Sequence, residues 1–253
     1  LDPACGSGNF LTETYLSLRR LENEILQELQ GGQMVLGYDN MNPIQVSISQ
    51  FYGIEINDFA VTVAKTALWI AESQMMKETE SIVLMHLDFL PLKTNAFIHE
   101  GNALQVDWES VILKYQLSYI MGNPPFVARA GRTKAKDSSS KGMLDDTQKT
   151  DRLNVFGEDL GNVDYVACWF KKAAVFTKNT AIRCAFVATD SICQGQQIYP
   201  IWKNILQDDI YINFAYKFFK WNSEAGKTAT VYVIMVFHIL KIEKPFCFQV
   251  IEL

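Results

Sequence analysis

The stretch that most constrains this chain is Asp2-Pro3-Ala4-Cys5-Gly6-Ser7-Gly8-Asn9-Phe10, a turn-forming pair of glycines set directly before a helical pattern. Gly6 and Gly8 permit a tight turn and let a ligand come close to the backbone. Apolar residues then recur with helical spacing at Leu11, Tyr15, Leu18, Ile25 and Leu29, and Gly31-Gly32 stops the helix. The segment reads as a strand end, a glycine loop and a helix start. The same order returns at Phe51-Tyr52-Gly53-Ile54-Glu55-Ile56, closed by Asn57-Asp58, with Asp58 positioned to cap a helix carrying Ala60, Ala64, Ala67, Leu68 and Ala71 on one side. Repeated strand-helix order predicts an α/β fold with a mostly parallel sheet, in which ligands bind beyond the carboxyl ends of the strands.

Three strand ends carry polar groups suited to a ligand. Glu55, after a glycine loop, is placed to accept hydrogen bonds from a ribose diol; without that loop it would be an ordinary solvated glutamate. Ala96 to His99 leads to Glu100-Gly101-Asn102-Ala103-Leu104, where Asn102 either reads the edge of an adenine ring or is a turn asparagine with no ligand. The apolar run Leu117 to Met121 ends at Gly122 and is followed by Asn123-Pro124-Pro125-Phe126, which sets one amide and one flat ring at a buried strand end.

Beyond Phe126 the residues Arg129, Arg132, Lys134, Lys136 and Lys141 lie among glycine and serine, so a mobile loop over about 127–155 is expected, able to touch phosphates. Asp164 to Lys178 reads as a helix with Tyr165, Trp169, Ala173 and Phe176 near one face. Ile182 to Ala188 reads as a strand ending at Thr189-Asp190, and Gln194 to Leu206 as a helix. Tyr211 to Phe219 and Thr228 to Ile239 form a β-rich pair around Lys220-Trp221-Asn222-Ser223-Glu224-Ala225-Gly226-Lys227, a hairpin with a long tip. Trp221 there is either core packing or a second stacking surface.

Composition removes several classes of function. With 253 residues, 49% apolar, the chain can bury a substantial core, as one α/β domain with appendages. Its five cysteines are scattered without a C-x-x-C pair, which argues against a disulfide framework and for a reducing, cytoplasmic setting. The dispersed histidines His86, His99 and His238 suggest no metal site. The apolar run Val231 to Leu240 is too short to span a bilayer, and the amino end has no signal-peptide pattern. A net charge of −5 is not that of a DNA-coating protein, so any DNA contact would come from a local patch or from segments outside this sequence.

Asp2-Pro3-Ala4-Cys5-Gly6-Ser7-Gly8-Asn9-Phe10, then Gly53-Ile54-Glu55-Ile56-Asn57, then Asn123-Pro124-Pro125-Phe126 resembles the DNA amino-methyltransferases that modify N6 of adenine. Phe51-Tyr52-Gly53-Ile54-Glu55, Gly101-Asn102-Ala103-Leu104, Asp164-Tyr165-Val166-Ala167-Cys168-Trp169-Phe170 and Phe219-Lys220-Trp221-Asn222 narrow it: the chain is similar to the methyltransferase domain of MmeI-like (type IIL) restriction–modification proteins. The resemblance implies a Rossmann-like class I S-adenosylmethionine-dependent methyltransferase fold with a C-terminal antiparallel hairpin strand. It implies duplex DNA as partner, no membrane, and a parent polypeptide with a nuclease domain and a target-recognition domain. It further implies that Asp2, Gly6, Gly8, Asn9, Phe10, Glu55, Ile56, Asn102 and Ala103 bind S-adenosylmethionine, Glu55 through its ribose. Asn102 stands where many relatives carry an aspartate, and an amide, which donates and accepts, still suits an adenine edge. Asn123, Pro124, Pro125 and Phe126 become the catalytic motif, with Trp221 or Phe219 closing the other face of the base.

The chemistry fits these residue types. The lone pair of adenine N6 is delocalised into the ring, whereas a methyl on a sulfonium is already electrophilic, so orientation matters more than a strong base. Acceptors at the Asn123 amide and the Pro124 carbonyl would hold the two N6 hydrogens and stabilise the charge developing on nitrogen. A base inside a duplex must be flipped out, and stacking on Phe126 would offset part of the unstacking cost. Two rivals use the same features: methylation of a glutamine amide in a protein, and a non-catalytic DNA-binding module of the same fold. Because the chain opens at the end of its first strand, that strand is expected to be truncated and the isolated fragment to bind the cofactor weakly.

Overall fold

Three parallel backbone segments lie side by side at the amino-terminal end of the chain. Asp2 bridges Gly53, its N–H donating to the Tyr52 carbonyl at 2.9 Å while Ile54 N–H donates back to the Asp2 carbonyl at 2.9 Å. β1 (Tyr52–Glu55) pairs in parallel with β2 (Phe97–Glu100), in a register that runs from Tyr52 beside Phe97 to Glu55 beside Glu100. The computed structural model describes residues 1–30, 44–84, 95–127, 144–157, 163–206, 210–216, 233–240 and 249–251. These form two units, Leu1–Gly101 and Asn102–Leu253.

In the first unit, helix α1 (Asn9–Gln30) packs on α2 (Asp58–Val83). The expected apolar face of α1 is only partly right. Leu11 and Tyr15 are buried, but the stripe continues at four-residue spacing through Arg19 and Asn23, while Leu18, Ile25 and Leu29 are exposed. The cause is polar complementarity across the helix pair. Arg19 Nη2 donates to Thr79 Oγ1 at 2.6 Å, and that hydroxyl donates to Asn23 Oδ1 at 2.7 Å. Arg19 also pairs with Glu22, whose Oε1 accepts from the backbone N–H of Gln45 and Val46 and so ties α1 to the segment leading into β1. In α2, Ala64, Leu68 and Ala71 are buried as expected, alongside Val61 and Met75. The cap is Asn57 rather than Asp58: its Oδ1 accepts from Ala60 N–H at 2.9 Å, leaving Asp58 in the first turn, where a carboxylate favours the helix dipole.

The second unit is built on a sheet of β3 (Tyr119–Gly122), β4 (Arg183–Thr189), β5 (Ile210–Tyr216), β6 (Val233–Leu240) and β7 (Gln249–Ile251), in the order β3-β4-β6-β5-β7. β3 and β4 are parallel, and β6 is antiparallel to both β4 and β5, so the expected hairpin pair is present. Helices α3 (Asp146–Phe156), α4 (Ala167–Thr177) and α5 (Ile198–Ile205) complete the unit. Tyr165, Trp169, Ala173 and Phe176 are all buried, and Phe170 meets Phe186 and Trp202 edge-on at 5.3 and 6.2 Å.

Two expectations are revised. The segment read as a loop over about 127–155 carries α3, nucleated by a reciprocal cap in which Asp145 Oδ1 accepts from Gln148 N–H and Gln148 Oε1 from Asp145 N–H. The helix expected from Gln194 begins only at Ile198, because Gln197 turns inward to bond Asp164. Phe219, Trp221 and the basic residues Arg129 to Lys141 lie outside the described residues. No helix among the described residues is long and apolar enough to cross a membrane.

Candidate functional site

The glycine loop takes its form from hydrogen bonds back to β1. Cys5 N–H donates to the Ile54 carbonyl at 3.1 Å and Gly8 N–H to the Cys5 carbonyl at 2.8 Å, with both glycines in left-handed conformations, φ +54° at Gly6 and +84° at Gly8. The two differ in purpose. A Cβ on Gly8 would stand 2.9 Å from Ala64 Cβ and 3.1 Å from its Cα, so Gly8 lets α1 start against α2. A Cβ on Gly6 would meet nothing within 4 Å, so the loop there faces open space.

Glu55 closes the loop from the end of β1. Its Oε2 accepts from Gly6 N–H at 2.9 Å and its Oε1 from Asn57 N–H at 3.0 Å. A carboxylate has about four acceptor positions, so capacity for further donors remains on this half-buried side chain. Ile56, next along, is exposed, and Asn9 accepts from Ser7 Oγ at 3.2 Å. Phe10 is half-buried at the first turn of α1. Asp2 is different: it is buried, holds Ala4 N–H at 3.0 Å, and burial pushes its carboxyl up to about 7. Its visible part is to support the loop from beneath.

In the second unit, Asn102 and Ala103 form a turn just past β2. Asn102 Oδ1 accepts from Leu104 N–H at 2.9 Å and Nδ2 donates to Asp151 Oδ2 at 2.8 Å. Ala103 is buried and its carbonyl accepts from Trp108 Nε1 at 2.9 Å. Asp151, on α3, also accepts from Gln105 Nε2 at 2.8 Å and Tyr165 Oη at 3.0 Å. The Asp151 cluster is absent from the sequence reading; the spacing Asp145-x-x-Gln148 is the signal that would have placed α3 and with it Asp151.

The strand-end motif lies past β3. Pro124 is buried, Pro125 is exposed, and Phe126 leaves 38% of its surface to solvent. Asn123 Oδ1 is buried and has no hydrogen-bond partner among the described residues. Leaving such an acceptor unmet costs about 1–3 kcal/mol, and an N–H donor removes that cost. The parallel register sets Gly122 beside Phe186, and β4 continues beyond that pair to Thr189. There Ser191 Oγ and Gln197 Nε2 donate to the Asp164 carboxylate, which bolts the β4 end to the start of α4. Among the described residues no cluster of histidine, cysteine or carboxylate is arranged to hold a metal ion.

Residues 1–248 match the family described as MmeI, DNA-methyltransferase domain. The chain belongs to that family. It is 40% identical over 240 residues to DNA methyltransferase A of Bacillus subtilis (strain 168), a match covering 93% of this chain and 26% of the relative. It is 41% identical, with a TM-score of 0.83, to the type IIL restriction–modification enzyme MmeI solved in complex with DNA, covering 95% of this chain and 31% of that one. The chain thus spans about a quarter to a third of the length of these relatives. The type ISP restriction–modification enzyme LlaGI, at 14% identity and a TM-score of 0.57, is similar in fold alone. In this MmeI-family domain the described elements make an α/β fold in which β1 and β2, and β3 and β4, pair in parallel.

Proposed function

We propose that this domain transfers a methyl group from S-adenosylmethionine to N6 of an adenine flipped out of duplex DNA, as the modification part of a type IIL restriction–modification polypeptide. The observation that carries the reading is the orphaned acceptor at Asn123 Oδ1, followed by a partly exposed aromatic ring at Phe126. An exocyclic amine brings two N–H donors on the edge of a planar ring. Asn123 Oδ1 takes one hydrogen and the Pro124 carbonyl the other, which turns the nitrogen lone pair out of conjugation and stabilises charge developing on that nitrogen. Phe126 offers the face on which the extruded base stacks, a contact worth about 1–3 kcal/mol per base.

The residues of the first unit suit the cofactor. Gly6 leaves the space a side chain would fill, Glu55 keeps free acceptor capacity for a diol, and Ile56 presents an exposed apolar side chain. Gly8, Asn9 and Phe10 set the start of α1, and Asp2 supports the loop from beneath. Asn102 and Ala103 are proposed as adenine contacts. S-adenosylmethionine, when bound, supplies an electrophilic methyl on a sulfonium. The proposed setting is the cytoplasm. The nuclease and target-recognition domains of the longer polypeptide, and the DNA they act on, belong to the same proposal.

Asn123→Ala in the full-length protein tests the reading. It is expected to lose methyl transfer to adenine while retaining affinity for S-adenosylhomocysteine. Methylation at the wild-type rate would refute the role of the orphaned acceptor.

A further inference from the structure

The buried carboxylate of Asp151 lies outside every motif that the proposed function uses, yet three side chains converge on it. Asp151 is 1% exposed; Asn102 Nδ2 and Tyr165 Oη donate to Oδ2, and Gln105 Nε2 donates to Oδ1. Burial, followed by the hydrogen bond to Asp151, raises the Tyr165 hydroxyl above its ordinary range and keeps it a donor. The turn that holds Asn102 is braced on other sides too. Lys172 Nζ donates to the Val106 carbonyl at 2.6 Å, and the backbone N–H groups of Gln105 and Val106 return to the Asn102 carbonyl.

An asparagine amide can be turned end for end, exchanging its donor and its acceptor with almost no change in volume. Here it cannot turn freely. Leu104 N–H demands an acceptor and Asp151 demands a donor, so oxygen and nitrogen each have one assigned side. One N–H hydrogen and one oxygen lone pair remain on this half-buried side chain. Adenine offers the converse pair, an N6 hydrogen and a ring nitrogen acceptor. Hypoxanthine reverses the pattern, with an acceptor oxygen at position 6 and a hydrogen on N1. An aspartate at position 102 would instead face the Asp151 carboxylate, which accounts for the amide at this position.

We propose that Asp151 is a positioning residue that fixes the Asn102 amide in the orientation complementary to adenine, and so makes the domain select an adenosyl over an inosyl cofactor. This rests on the reading of Asn102 as a contact of the S-adenosylmethionine adenine. A merely structural Asp151 would support both nucleosides alike, so the ratio of the two affinities separates the roles.

The experiment is calorimetric titration of the full-length protein with S-adenosylhomocysteine and with S-inosylhomocysteine. Wild type should prefer the adenosyl compound. Asp151→Asn keeps the volume but presents either an oxygen or an N–H to residue 102. It should reduce the adenosyl-to-inosyl preference about tenfold, the weight of one charge-assisted hydrogen bond. Gln105→Ala removes a partner of Asp151 from an exposed position, leaves the Asn102 contact intact, and should keep the preference. Equal weakening of both ligands by Asp151→Asn, or an unchanged ratio, would overturn the inference while leaving the cofactor reading in place. Failure of the wild-type protein to bind S-adenosylhomocysteine would overturn the cofactor reading itself, and this inference with it.

Discussion

Gly6 and Gly8 are separated by the single residue Ser7 in the same loop, and replacing each with alanine should have different consequences. At Gly8 an alanine meets two penalties. A left-handed backbone costs an L-residue about 1–2 kcal/mol, and a methyl 2.9 Å from Ala64 Cβ and 3.1 Å from Ala64 Cα must push a helix backbone aside. Such overpacking adds about 1–3 kcal/mol, for a total of about 2–5 kcal/mol. At Gly6 only the backbone penalty of about 1–2 kcal/mol applies, since nothing lies within 4 Å of the added carbon. That open space is where the ligand is proposed to approach. Urea unfolding at fixed pH should therefore rank Gly8→Ala below Gly6→Ala. Calorimetry should show Gly6→Ala, the more stable variant, losing affinity for S-adenosylhomocysteine by tenfold or more, a loss of about 1.4 kcal/mol. Wild-type cofactor affinity in Gly6→Ala, or a Gly8→Ala no less stable than Gly6→Ala, would refute the division of labour drawn from the two geometries.

Asp2 predicts a pH effect whose sign follows from its raised carboxyl. Folded, burial holds the proton up to about 7, whereas the unfolded chain releases it near 3.8, so the folded state is favoured below that value and loses stability as pH rises through the window. The interval corresponds to roughly 4 kcal/mol. Asp2→Asn should thus gain on wild type between pH 4 and pH 7.5 in urea titrations, and a gap between the two proteins that stays constant with pH would contradict the assignment. Arg19→Ala takes a buried guanidinium from the half-buried Glu22 and the buried Thr79 hydroxyl and should cost about 1–3 kcal/mol. A loss below 1 kcal/mol in the same titrations would show that the α1–α2 polar stripe contributes little.

What the sequence made legible was whatever depends on near neighbours. The glycine loop, the strand-end Glu55 and the run into Asn123-Pro124-Pro125-Phe126 are local patterns, and the structure sets them at the ends of the backbone segments expected. The buried face of α1 was not legible in this way, because Leu18, Ile25 and Leu29 satisfy an apolar helical pattern and are nevertheless exposed. Arg19 and Asn23 are buried because Thr79, sixty and fifty-six positions away, offers a matching hydroxyl, and no local pattern records a partner that distant. Asp151 was hidden for a related reason. It follows a basic, glycine- and serine-containing stretch whose composition speaks for a loop, and its role appears only when Asn102, Gln105 and Tyr165 close on it. Phe219 and Trp221 lie outside the described residues, so their proposed place on the second face of the base stays a proposal.

Asn123 and Phe126 are proposed to present an adenine amine for methylation in duplex DNA, and the most direct measurement is where the methyl group goes. Full-length protein, duplex DNA and methyl-labelled S-adenosylmethionine should yield label in N6-methyladenine and none in protein. Label recovered in a glutamine side chain, or no label in DNA under conditions where the cofactor binds, would contradict the account.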